Sequence, residues 1–107
     1  MLATRYMEIF YGEEPIENLT EILSENLSFK GPLYEFSSSE EYIESLKSEP
    51  PVGLKYEMIE AYEKENSACL VYQFSKPGIS TIMSQLFEIT NGKISKIILV
   101  FDTGAFS

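Results

Sequence analysis

The chain has 107 residues, 44% hydrophobic and 13% aromatic, which predicts one packed domain over residues 1–107 and argues against disorder. Seventeen acidic against eight basic residues leave a formal charge of −9, and this argues against nucleic acid and anionic membranes as partners, because both need clustered Lys and Arg. With no histidine and a lone cysteine, Cys69, an internal disulfide, a Ser–His–Asp or Cys–His nucleophile and the common zinc and non-haem iron sites are excluded, so no metal or cofactor is expected.

The N-terminal stretch LATRYMEIFYGEE carries Leu2, Tyr6, Ile9 and Phe10 at the spacing of one helix face, with Gly12 as a stop. It has no long apolar stretch and no small-residue cleavage signature. No run approaches the roughly 18 apolar residues of a membrane span. A soluble cytoplasmic protein is expected. EEPIENLTEILSEN predicts a second helix, with Pro15 in its first turn and Ile16, Leu19, Ile22 and Leu23 as its stripe. LSFKGPLYEF reads as a short strand, a turn and an extended piece. In SSSEEYIESLKSEPP, Ser37 or Ser38 with Glu40 or Glu41 forms a capping box. Tyr42, Ile43 and Leu46 face inward there, and Pro50-Pro51 ends the helix.

From Val52 onward the period changes to two. Leu54, Tyr56, Met58 and Tyr62 alternate with Lys55, Glu57 and Glu63, as in a strand with one wet face. ACLVYQFSK, STIMSQLFEIT and KISKIILVFD follow as strands. They are divided by Pro77-Gly78 and by Asn91-Gly92, a strong two-residue hairpin signal. Cys69 sits in the apolar run ACLVYQF, where a lone cysteine behaves as a small buried hydrophobe. Helices grouped before strands predict an α+β domain with helices on one sheet face.

The helical pair, NLSFKGPLYEF, the capped helix and the long strands ending ITNGKISKIILVFDTGAF resemble the nuclear transport factor two-like superfamily. Within it, the resemblance is to the SnoaL-like polyketide cyclases and ketosteroid-isomerase-like proteins. The resemblance implies a cone-shaped barrel, a strongly curved antiparallel sheet wrapped around the N-terminal helices in a cystatin-like fold. It also implies a pocket for an apolar small molecule and a homodimer through the outer sheet face. The residues agree on that last point. Ile97, Leu99 and Phe101 alternate with Ile98 and Val100, so the last strand is apolar on both faces. Either the outer face meets a partner or the C-terminal Gly104-Ala105-Phe106 folds over it.

By position, Asp102 matches the aspartate that the resemblance makes a general acid/base near the end of the final strand. Asp102-Thr103-Gly104 is also a turn sequence in which a short carboxylate bonds backbone amides. Where the isomerase branch has its carboxylate base, this chain has Gly31, and no second aspartate exists for an oxyanion hole. An Asp–Arg–Asp epoxide hydrolase arrangement is excluded by the single Asp and the single Arg, Arg5. Glu60 falls on the face of Leu54, Tyr56, Met58 and Tyr62, which predicts either an inward carboxylate with tyrosine donors or a rim position open to water. Tyr6, Phe10, Tyr34, Tyr56, Tyr72 and Phe74 are the candidate ligand-binding residues. They either line a cavity or fill the centre of the cone. Two functions follow: a pocket that either binds an apolar small molecule or performs simple acid/base chemistry with Asp102, helped by tyrosine hydroxyls or Glu60, or a non-catalytic dimerisation or protein-interaction module with a side-chain-filled cone.

Overall fold

The structure, a computed structural model, describes residues 1–106. Helix α1 spans Leu2–Phe10 and buries Ala3, Tyr6, Met7 and Ile9. Gly12, at φ +93°, and a bond from the Glu13 N–H to the Glu8 carbonyl close it. Helix α2 spans Ser39–Ser48 and buries Tyr42, Ile43 and Leu46. Its capping box is present: Ser38 Oγ accepts from the Glu41 N–H at 3.1 Å, and Glu41 Oε1 accepts from the Ser37 N–H at 3.4 Å.

Six strands form one curved, unclosed sheet. They are β1 (Leu23–Lys30), β2 (Glu35–Phe36), β3 (Lys55–Lys64), β4 (Ser67–Lys76), β5 (Ile79–Thr90) and β6 (Lys93–Phe101). Their order is β2-β1-β6-β5-β4-β3. The expected four-strand meander is β3 to β6, and Asn91 and Gly92 both take positive φ in the β5–β6 hairpin. The helices lie on the concave face, where Leu70, Phe87, Ile94 and Ile97 are fully buried beneath them.

Three expectations are corrected. The predicted second helix is a six-residue 3-10 turn, Ile16–Glu21, and Leu23 opens β1. Leu19, Ile22 and Leu23 are buried as expected. Pairing of Leu23 with Ile94 and of the Ile22 carbonyl with the Ile94 N–H, at 2.7 Å, overrides the helical period of this segment, which Asn18 and Thr20 support only weakly. The sheet is not purely antiparallel, because β1 runs parallel to β6. It is also not a barrel: β2 and β3 are its free edges.

Bulges bend the strands. One lies between Met58 and Glu60, leaving Ile59 outside the pairing, and another between Glu88 and Ile89. The first reverses the alternation of β3. Tyr56 and Met58 sit opposite the buried Phe74 and Tyr72, whereas Glu60 and Tyr62 sit opposite Val71 and Cys69. Tyr62 therefore lies on the outer face, not the inner one.

Candidate functional site

Four elements each contribute one polar group to the inside of the cone. Tyr6 comes from α1, Tyr42 from α2, Tyr72 from β4 and Gln85 from β5, all nearly inaccessible to solvent. The Tyr6 and Tyr42 hydroxyls are hydrogen-bonded to each other. The Tyr72 hydroxyl donates to Gln85 Oε1 at 2.8 Å, with Met83 Sδ at 3.7 Å beside it. Gln85 also faces the Tyr6 hydroxyl, and the Tyr11 hydroxyl faces that of Tyr72. The result is a chain of polar groups through an aromatic core. Phe87 packs edge-on against Tyr6 at 5.4 Å, and Phe29 stacks on Tyr42 at 4.9 Å. Among the described residues, no buried side-chain nitrogen or oxygen lacks a partner.

Burial pushes the pKa of Tyr6 well above the ordinary phenol value, and the neighbouring Tyr42 adds to the rise. Burial likewise raises Tyr11, Tyr42 and Tyr72. Tyr56 rises more modestly, first by burial and then through the negative Glu13 and Glu8. These phenols stay protonated. They donate hydrogen bonds and cannot serve as bases near neutral pH.

The structure brings five of the six predicted ligand residues together on the inner side. Tyr6 lies in the centre, Tyr56 meets Tyr72 edge-on at 6.0 Å, and Phe74 is buried on the same β4 face. Phe10 packs beside Tyr6 at 6.1 Å. Tyr34 does not join them. It is 63% exposed on the β1–β2 loop and stacks only on Phe36, at 6.4 Å.

Neither candidate carboxylate reaches the hydroxyl chain. Glu60 is exposed on the outer sheet face. Asp102 is exposed just past β6, where its Oδ1 accepts from the Gly104 N–H at 2.9 Å and its carbonyl accepts from the Ala105 N–H at 3.2 Å. That arrangement starts a 3-10 turn, Thr103–Phe106. The turn folds Phe106 onto Phe74 and Phe101, which both belong to the inner side, so the C-terminal segment leaves the outer face uncovered.

Tyr11 and Tyr42 are not among the site residues expected from sequence, whereas Gln85 raises there the same question of an inward polar group as Glu60. Tyr42 stands on the inward stripe of α2, so its signal is a polar group at a position whose period demands an apolar one. Outside the cone, a mostly apolar groove of about 250 Å³ lies on the outer side near the β3–β4 hairpin, lined in part by Tyr62, Lys64, Cys69 and Leu86. Neither Asp102 nor Glu60 lines it. Among the described residues, no group of three His, Cys, Asp or Glu is placed to hold a metal ion. No described helix is long and apolar enough to cross a membrane.

No protein-family model matches the sequence. No curated protein matches it either. Solved structures do. An NTF2-like protein from Cytophaga hutchinsonii superposes with a TM-score of 0.83 at 24% identity, over 98% of this chain and 90% of that one. A candidate ketosteroid isomerase from Kribbella flavida gives 0.82 at 16%, over 94% and 75%. A SnoaL-like family candidate isomerase from Agrobacterium tumefaciens gives 0.76 at 15%, over 94% of both chains. The chain therefore has the NTF2-like, SnoaL-like fold.

Proposed function

We propose that this NTF2-like domain is a non-catalytic homodimerisation module: its own side chains fill the cone, and its outer sheet face receives a second copy. The observation that carries the first half is the closed hydroxyl chain. Tyr6 bonds Tyr42 and Tyr72 bonds Gln85, and among the described residues no buried side-chain nitrogen or oxygen is left without a partner. Acid/base chemistry in a pocket for an apolar small molecule would need a carboxylate at that chain. Asp102 instead bonds the Gly104 amide, and Glu60 points away.

The outer face supports the second half. Tyr62, Ile82 and Val100 are 59%, 56% and 57% exposed there, joined by Ile59, Leu86 and the half-buried Val71, Cys69 and Ile98. Charge is balanced on this face: Lys30, Lys55, Lys64 and Lys96 stand against Glu35, Glu57, Glu60 and Glu88. The whole chain carries 17 acidic against 8 basic residues. A strongly acidic protein pairs with its own copy most readily through a face relieved of its net charge. The lone thiol of Cys69 accords with a cytoplasmic location.

Sedimentation velocity tests the proposal. The parent chain should run as a dimer at micromolar concentration. Leu86→Glu should run as a monomer with an unchanged far-ultraviolet circular dichroism spectrum. A parent chain that is monomeric at high micromolar concentration overturns the proposal.

A further inference from the structure

The C-terminal turn holds an aromatic ring in a three-sided setting at the rim of the cone. The Phe106 ring lies 5.0 Å from Phe101 at 58° and 5.8 Å from Phe74 at 38°. The Lys76 ammonium stands 5.4 Å from its centroid. Phe74 is buried, Phe101 and Phe106 are half-buried, and Lys76 is exposed, so the setting opens to solvent on one side. Phe106 belongs to a four-residue 3-10 turn begun by the Asp102 cap. Such turns have poorer hydrogen-bond geometry than an α-helix, and short segments with few buried contacts open at lower free energy than the whole domain.

We propose that Phe106 is the intramolecular occupant of a ring-binding seat formed by Phe74, Phe101 and Lys76, and that an electron-rich planar aromatic molecule, such as an indole or a phenol, takes the seat when residues 103–106 swing out. Tilted contacts with two rings select a flat aromatic group. A cation over the ring face favours electron-rich π systems over saturated rings of equal size. Self-occupancy lowers the apparent affinity by the fraction of time the seat stands open. The seat is on the inner side of the sheet, opposite the proposed dimer face, and its success or failure is independent of that pairing.

Indole is the probe and cyclohexanol the saturated control, both measured by calorimetric titration on the full chain. Phe106→Ala should bind indole about tenfold or more tightly than the parent, because the competing ring is gone. Cyclohexanol should show no such gain. Adding Lys76→Met to Phe106→Ala should weaken indole by about threefold. In the parent chain carrying ¹³C-labelled phenylalanine, millimolar indole should shift the ring signals of Phe74, Phe101 and Phe106 and leave Phe29 and Phe87 unmoved. That measurement decides the matter if Phe106→Ala does not fold. Equal indole affinity in parent and variant, an equal gain for cyclohexanol, or shifts that miss these three rings overturns the proposal.

Discussion

Titration with base probes the hydroxyl chain directly. Burial raises the folded-state pKa of Tyr6, Tyr42 and Tyr72. In the unfolded chain a tyrosine ionises near pH ~10. Below that pH both states hold the phenolic protons, so this contribution to stability is fully present. Above it the native state holds more protons than the unfolded state, and stability falls as pH rises. Each such group gives a slope of about 1.4 kcal/mol per pH unit, so three give about 4 kcal/mol per unit. A domain stable by roughly 5–15 kcal/mol should therefore unfold about one to four units above pH ~10. The assay follows tyrosinate absorbance and far-ultraviolet circular dichroism in the same samples. The tyrosinate signal of the three core residues should appear together with cooperative loss of secondary structure. Ionisation of every tyrosine while the dichroism stays native would refute the buried hydroxyl chain.

Tyr6→Phe should destabilise the domain by about 1–3 kcal/mol in urea unfolding, because the Tyr42 hydroxyl loses its partner in the core. The double variant Tyr6→Phe/Tyr42→Phe should cost less than the sum of the two singles, and strict additivity would count against the bond. Ser38→Ala removes the α2 cap and should cost about 1 kcal/mol. For a domain of this size that is a fall in melting temperature of about 4–8 °C, and an unchanged melting curve would contradict the cap.

Much of the fold was legible before any coordinates. The capped helix α2, the Asn91-Gly92 hairpin and the four-strand meander all rest on interactions between residues close in sequence. The buried stripe Leu19, Ile22 and Leu23 was legible as apolar but not as to element. A helix and a strand bury that set equally well, and the parallel partner that decides between them, Ile94, is some seventy residues away. The β3 bulge was invisible for the same reason. Nothing local in Met58-Ile59-Glu60 marks the extra residue, yet that residue carries Glu60 and Tyr62 to the outer face.

The candidate site followed the same division. The sequence alone determined an acidic, aromatic-rich α+β domain with no histidine and a single aspartate, and so which nucleophiles and metal sites it cannot build. Only the tertiary structure decided that Tyr6, Tyr42, Tyr72 and Gln85 meet and satisfy one another, that Asp102 is engaged with the backbone, and that Phe106 turns inward. Side-chain type and period are properties of short segments. A hydrogen bond between α1 and α2, or between β4 and β5 across the cone, exists only once the sheet has curved and brought those segments within a few ångströms of each other.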